Sequence, residues 1–163
     1  MHHFAYRNGV LHCEDVSLEA VARELGTPAY VYSDATLRRH YAVLAEAFAN
    51  RDVLIAYAVK ANSNIGVLAT LASVGAGADV VSGGEMLRAL EAGIPANRIV
   101  FSGVAKTVEE MKLGLERGIH QFNVESMPEL LRLSRVAKEM GKRAPIAFRV
   151  NPHVEAGGHA HIS

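Results

Sequence analysis

The stretch ADVVSGGEMLRALEAGIPANRIVF (residues 78–101) decides the fold, because it contains one complete strand–helix–strand unit. Apolar and β-branched residues predict short strands over Ala78–Val81 and Ile99–Phe101. Between them, Ser82 and the glutamate three residues later form a capping-box pattern, which predicts a helix over Glu85–Ala92. Gly93 marks the end of that helix, since glycine is common just past a helix C-terminus.

The same unit recurs along much of the chain. Further strands are predicted over Val53–Val59, Ile119–Val124 and Ile146–Val150, and further helices over Ile65–Val74, Val108–Arg117 and Pro128–Met140. Strands that alternate with helices indicate parallel pairing, in either an open doubly wound sheet or a closed barrel. No Gly-x-Gly-x-x-Gly turn follows a predicted strand, so the pattern favours a (β/α)8 TIM-type barrel.

The length of the chain limits this prediction. Only about five β/α units fit within the 163 residues, whereas a complete barrel has eight strands and about 250 residues. A partial barrel would expose an apolar strand edge. We therefore expect the chain to be the N-terminal part of a larger protein, with a truncated barrel over residues 34–163.

Residues 1–33 are predicted to form a separate N-terminal segment. Phe4–Glu14 reads as a hairpin, because its Asn8-Gly9 pair favours the positive φ angles of a tight turn. A short helix over Ser17–Leu25 and a small strand over Ala29–Tyr32 follow, before a longer helix over Asp34–Phe48 begins the barrel region.

Composition excludes several classes of partner. The formal net charge is +0, which offers no electrostatic basis for binding nucleic acid or an anionic membrane surface. No apolar run is long enough to span a bilayer, and a single cysteine, Cys13, rules out an internal disulfide, so a reducing cytoplasm is expected. The C-terminal segment carries four potential metal ligands whose spacing lacks a regular pattern, and we interpret them as solvated loop residues: His153, Glu155, His159 and His161.

Lys60 is the first candidate for chemistry. It ends the apolar run Val53–Val59, which resembles a strand buried on both faces. Burial there would favour the neutral amine, a nucleophile that condenses with carbonyl groups. The spacing alone, however, favours a lysine that extends from the strand end into water.

Other polar residues lie at or near the carboxyl ends of predicted strands. The carboxyl ends of barrel strands carry the active site in this fold, and the residues predicted there are Lys60, Asp79, Ser102, Glu125 and Arg149. Asp79 fits either a site residue or a group that bonds nearby amides at a helix start, and Arg149 fits either a site residue or a structural ion pair. Glu125 is explained as an acidic residue before a helix start.

Five segments in order carry a resemblance to a known family: YAVKAN (57–62), ADVVSGGE (78–85), IVFSG (99–103), FNVES (122–126) and FRVNP (148–152). Together they closely resemble bacterial diaminopimelate decarboxylases, which are pyridoxal-phosphate enzymes of the alanine racemase-like barrel group. The first segment alone would also fit ornithine or arginine decarboxylases. The resemblance covers nearly the whole chain, although the family usually has acidic and aromatic residues near His153 and His161.

The resemblance implies a set of roles. Lys60 would be the catalytic residue and would carry pyridoxal 5'-phosphate as a Schiff base, with Asp79 and Arg149 beside the cofactor. The implied reaction converts meso-diaminopimelate to L-lysine and carbon dioxide in a homodimer. The N-terminal hairpin would belong to a second, all-β domain. Residues 1–163 in isolation are expected to be inactive, because the family takes its phosphate loop and ring-nitrogen carboxylate from later sequence.

Alternatives stay open at this point. A non-catalytic or regulatory barrel that carries pyridoxal phosphate, an amino-acid racemase, or another basic amino-acid decarboxylase would fit the same segments. The glycines of Ser82-Gly83-Gly84 could cradle a phosphate, but the capping box already explains the serine.

Overall fold

A computed structural model of the chain describes residues 2–150 and residue 152. The strands are β1 (Phe4–Arg7), β2 (Val10–Cys13), β3 (Val16–Ser17), β4 (Ala56–Ala58), β5 (Gly77–Val80), β6 (Ile99–Phe101), β7 (Gln121–Val124) and β8 (Ile146–Phe148). The α-helices are α1 (Leu18–Leu25), α2 (Asp34–Ala47), α3 (Ile65–Ser73), α4 (Gly83–Glu91), α5 (Val108–Arg117) and α6 (Met127–Glu139). Short 3₁₀ turns cover Val59–Ala61 and Ala96–Arg98.

The barrel prediction is confirmed by the order of the strands. β4 to β8 form one parallel sheet in which each strand pairs with the next strand along the chain. A doubly wound sheet would instead reverse its strand order at a switch point. Each of the helices α2 to α5 also contacts the helix that follows it, as expected for helices that cover one face of a curving sheet.

The N-terminal segment forms its own antiparallel sheet from β1, β2 and β3. The predicted hairpin is confirmed, with Asn8 at φ 50° and Gly9 at φ 82° in the turn. The small strand predicted over Ala29–Tyr32 is wrong, because this segment pairs with no strand among the described residues and Tyr30 is 90% exposed. Strand β3, which the sequence did not indicate, pairs with β2 over two residues.

The core lies between the five-stranded sheet and its helices. Phe101 of β6 and Phe122 of β7 are fully buried there, with ring centroids 6.0 Å apart. Helix α5 approaches this pair at Gly114, where a β-carbon would lie 2.7 Å from Cζ of Phe122. Glycine at this position therefore allows the helix to approach the aromatic side chains closely.

Helix ends follow the predicted signals, with one difference in detail. Thr107 and Glu110 form a reciprocal capping box at α5. At α4 and α6 the serine caps as expected, but the glutamate accepts from the amide one residue before the cap, Val81 N or Glu125 N. The cap residues of α4 and α6 have φ near full extension, −153° and −157°, against −78° at Thr107. We attribute the difference to this extension, which turns the preceding amide toward the helix.

Both edges of the five-stranded sheet present apolar side chains in the part of the chain that the structure describes. On β8, Phe148 is 64% exposed. Beside β4, an open groove of about 330 Å³ lies against α2 and is lined mainly by apolar residues, among them Leu37, Tyr41, Tyr57 and Leu71. None of the helices in the described ranges is both long enough and apolar enough to cross a bilayer.

Glu14 joins the N-terminal sheet to the start of α2. Its Oε1 accepts hydrogen bonds from the Ala35 amide at 3.0 Å and from Ser33 Oγ at 2.7 Å. These two bonds lower the pKa of the Glu14 carboxyl, and the bond from the Ala35 amide has the larger effect. The assignment of residues 1–33 and 34–163 to separate domains stays a prediction.

Replacement of Gly114 tests the close approach of α5 to the core. Gly114→Ala should lower the free energy of unfolding by about 1–3 kcal/mol, because the new methyl group overlaps Phe122 in a packed interior. Gly84→Ala is the matched control. Gly84 lies in α4, a β-carbon there would be 3.8 Å from its nearest neighbour, and alanine favours helix formation. Urea unfolding of both variants measures the difference. Equal stability of the two variants would contradict the packing argument.

The Glu14 link predicts a pH dependence that is local to the N-terminus. Since the folded-state pKa is lowered, the contribution is fully present above the pKa of the unfolded glutamate and is lost as the pH falls through the lower, folded-state pKa. Hydrogen-exchange protection of the Ala35 amide should fall over that range in the natural protein. Glu14→Gln should show weaker protection at neutral pH but little change with pH, whereas Glu24→Gln, an exposed position on α1, should match the natural protein. A pH dependence that persists in Glu14→Gln would refute the assignment.

Candidate active site

The alternation of side chains divides each strand of the large sheet into two faces. Ala78 and Val80 of β5 are fully buried beneath the helices, so Asp79 between them faces the opposite side. The same alternation holds around Phe101 in β6 and around Phe122 and Val124 in β7. It places a row of polar residues on the face away from the helices, at the carboxyl ends of the strands: Asp79, Ser102, Asn123 and Glu125.

Three side chains in this row form a directed hydrogen-bond chain. Asn123 Nδ2 donates to Ser102 Oγ at 3.0 Å, and Ser102 Oγ donates to Asp79 Oδ1 at 2.5 Å. Gln121 Nε2 extends the chain by donating to Asn123 Oδ1 at 2.8 Å. Asn123 and Ser102 each accept from the preceding residue and donate to the next, so the bonds strengthen one another and orient the Asp79 carboxylate.

Asp79 does not cap the neighbouring helix. The first amides of α4 have other acceptors: Glu85 N donates to Ser82 Oγ, and Gly83 N donates to Glu110 Oε1 at 2.7 Å. Burial raises the pKa of Glu110, but its hydrogen bonds from the Thr107 and Gly83 amides outweigh this and leave the pKa lowered. The Gly83 amide is therefore already bound by a carboxylate of the protein itself.

Arg149 follows β8, and its environment differs from the predicted one. Its Nη1 donates to Glu125 Oε2 at 2.7 Å, and its side chain is 64% exposed while that of Glu125 is 7% exposed. The strand predicted over Ile146–Val150 is too long, because β8 ends at Phe148 and Arg149 lies just beyond it. The ion pair that the sequence analysis gave as one alternative for Arg149 is present, with Glu125 of the polar row as the partner.

Lys60 lies in the 3₁₀ turn that follows β4, two residues after the Ala58 that pairs with Asp79. Its side chain is exposed and makes no hydrogen bond or ion pair with any described residue. The strand predicted over Val53–Val59 is present as β4 but is shorter. This strand covers only Ala56–Ala58, is half-buried, and lies at an edge of the described sheet.

A second lysine at this edge, Lys106, was not predicted from the sequence. Lys106 is buried, and its Nζ donates to Gly103 O at 2.7 Å, Asn123 O at 2.8 Å and Glu129 Oε1 at 2.8 Å. It also lies 5.6 Å from the centroid of the Phe101 ring, within the range of a cation–π contact. Lys106 lies just before the cap residue Thr107, and its acidic partner Glu129 is 23 residues away in the sequence, so no local signal indicates the pair.

The structure thus brings Asp79 and Ser102 together, pairs Arg149 with Glu125, and places Lys60 beyond the adjacent strand end. The C-terminal histidines and Glu155 that we interpreted as solvated lie outside the described residues. Within the described residues, no group of three or more His, Cys, Asp or Glu side chains is arranged to hold a metal ion.

Comparison with known proteins gives a consistent family. Residues 34–163 match the family model described as "Pyridoxal-dependent decarboxylase, pyridoxal binding domain". The chain is 55% identical over 161 residues to a diaminopimelate decarboxylase of Pseudomonas fluorescens and 51% identical over 163 residues to one of Haemophilus influenzae. These alignments cover 98% and 100% of this chain but 39% of each relative, so the chain spans about two-fifths of their length.

A solved structure shares the fold. The diaminopimelate decarboxylase of M. jannaschii in complex with L-lysine superposes with a TM-score of 0.90 at 38% identity, over 98% of this chain and 38% of that chain. The resemblance inferred from the five segments is thereby confirmed. The chain belongs to the pyridoxal-dependent decarboxylase family, whose cofactor is pyridoxal phosphate, and these relatives within it are diaminopimelate decarboxylases.

Proposed function

We propose that the full-length protein decarboxylates meso-diaminopimelate to L-lysine and carbon dioxide, with pyridoxal phosphate attached to Lys60. The observation that carries the proposal is the contrast between the two lysines at the carboxyl edge. Lys106 Nζ is buried and bound by three acceptors, whereas Lys60 Nζ has no acceptor among the described residues. An amine that must attack an aldehyde needs a lone pair that is not held in an ion pair.

The residues on the polar face fit the cofactor by their chemistry. An aldehyde requires a primary amine, which Lys60 supplies. The cofactor is an anion with a polar ring, and Arg149 offers a cation while Asp79 and Ser102 offer an oriented carboxylate and hydroxyl. Asp79 lies near the carboxyl end of its strand and the other groups just after theirs, at the same edge of the sheet, which is where barrel enzymes bind their ligands.

Each residue has a role in this proposal. Lys60 Nζ binds the cofactor covalently and afterwards holds or delivers a proton. Asp79, held by Ser102, would help to orient the cofactor, and the Arg149 guanidinium, held by Glu125, would supply positive charge. Pyridoxal phosphate, when bound, supplies a sink for the electrons left behind when the carboxylate departs as carbon dioxide.

The names of the relatives support the choice of substrate. The two curated relatives at 55% and 51% identity are both diaminopimelate decarboxylases, and the M. jannaschii structure contains L-lysine. A homodimer in the cytoplasm belongs to the same proposal. Its support is the family resemblance alone.

The substrate proposal predicts the result of a direct assay. The full-length protein with pyridoxal phosphate should release carbon dioxide from meso-diaminopimelate, and product analysis should give L-lysine. Rates with L-ornithine, L-arginine and L-lysine should be lower by about a hundredfold or more, because a site that bonds the distal polar groups rejects analogues that lack them. Preferred release from ornithine, or racemisation without carbon dioxide, would overturn the proposal in favour of another member of the fold.

Covalent attachment can be tested separately from turnover. Borohydride reduction of the protein with its cofactor should fix pyridoxal phosphate on Lys60, as located by peptide mass spectrometry. Lys60→Ala should abolish this label and reduce kcat by about a thousandfold. Lys112→Ala, at an exposed position on α5, is the matched control and should keep both the label on Lys60 and the kcat of the natural protein. Label on another lysine, or full activity in Lys60→Ala, would contradict the role of Lys60.

A further inference from the structure

We propose that Glu125 is a positioning residue that holds the Arg149 guanidinium at the polar face and thereby strengthens cofactor binding. The inference rests on the proposed function, which places Arg149 beside pyridoxal phosphate. The inference gives a functional role to Glu125, which the sequence analysis explained only as an acidic residue before a helix start.

The contacts of Glu125 point across the sheet edge and away from its own helix. Its Oε2 accepts from Arg149 Nη1 at 2.7 Å, and its Oε1 accepts from the Gly103 amide at 2.8 Å. Both carboxylate oxygens are therefore occupied, one by a fixed backbone group and one by the guanidinium. A carboxylate held in this way presents its second oxygen in one direction only.

The backbone of Glu125 is held as firmly as its side chain. Its amide donates to Glu129 Oε2 at 3.2 Å, while Glu129 Oε1 accepts from the buried Lys106. Lys106 also donates to Gly103 O, the carbonyl of the residue whose amide binds Glu125. These bonds connect Glu125 to the two loops after β6 and β7 through groups that are almost entirely buried.

Arg149 is held at two points as well. Its backbone amide donates to Val124 O at 2.9 Å, and its guanidinium bonds to the side chain of the residue after Val124. The backbone bond alone would leave a long, exposed side chain free to adopt many rotamers. The bond to Glu125 restricts that freedom, and a restricted side chain loses less entropy when a ligand binds.

A purely stabilising role explains these contacts less well. Ser126 already caps α6, since its Oγ accepts from the Glu129 amide, so the Glu125 carboxylate is not required there. An ion pair with one partner 64% exposed adds little to stability because water competes for the guanidinium. What the pair changes is the direction in which the guanidinium points.

A double-mutant cycle on cofactor affinity tests the inference. The dissociation constant of pyridoxal phosphate is measured by absorbance titration of the cofactor-free, full-length protein. Arg149→Ala and Glu125→Ala should each weaken binding, the latter by about three- to tenfold, and Glu125→Gln should weaken it less because its amide oxygen still accepts from Gly103 N. The double variant should bind as weakly as Arg149→Ala and no weaker, since Glu125 acts through Arg149.

The controls separate this inference from the proposed function. Glu116→Ala, which removes an exposed carboxylate on α5, should leave the affinity unchanged. If Arg149→Ala weakens binding but neither Glu125 variant does, the inference is wrong and the proposed function stands. If Arg149→Ala has no effect, the role of Arg149 in the proposed function is wrong as well.

Additive losses in the double variant would show that Glu125 acts independently of Arg149, which also overturns the inference. Thermal unfolding of each cofactor-free variant reports whether it is folded. Should Glu125→Ala fail to fold, the cycle is completed with Glu125→Gln, for which a loss of affinity that disappears in the Arg149→Ala background is again the expected result.

Discussion

One buried cation holds together the edge of the sheet on which the candidate site depends. Lys106 carries an ammonium with no exposure to water, and its three acceptors come from the loop after β6, the end of β7 and the first turn of α6. Removing one partner from such a buried pair typically costs about 3–5 kcal/mol, because the remaining charge stays desolvated. The loop after β6 and the start of α6 therefore cannot separate without leaving an unpaired charge in the interior.

This constraint reaches the polar face through two residues. The Asn123 carbonyl binds Lys106 while its side-chain amide donates to Ser102, which in turn donates to Asp79. Glu129 binds Lys106 with one oxygen and the Glu125 amide with the other. The two arms of the site, one ending at Asp79 and one at Arg149, thus start from the same buried ammonium, and the groups that would meet a cofactor are positioned before it binds.

The sequence predicted what local chemistry determines. The helix starts at Ser82, Thr107 and Ser126, and the tight turn at Asn8-Gly9, follow from a few neighbouring residues, and the structure has them. Pairing is not local. The strand predicted over Ala29–Tyr32 lacks a partner among the described residues, although its composition suits a strand.

Burial was also misjudged where it depends on neighbours. Lys106 shows this, because its burial arises from carbonyls and a carboxylate that come together only when β6 and β7 pair.

The two lysines show which property selects a reactive amine in this fold. Burial, the criterion suggested by the apolar run before Lys60, would select Lys106, whose ammonium is locked into three hydrogen bonds and has no lone pair to offer. The more useful criterion is the set of acceptors around each Nζ. A nucleophilic lysine must lose its proton without breaking an ion pair, and of the two lysines that follow strands at this edge, Lys60 alone meets that condition among the described residues. Exposure of Lys60 in the described chain is thus compatible with a covalent role, because the condition concerns competing acceptors and not the depth of the side chain.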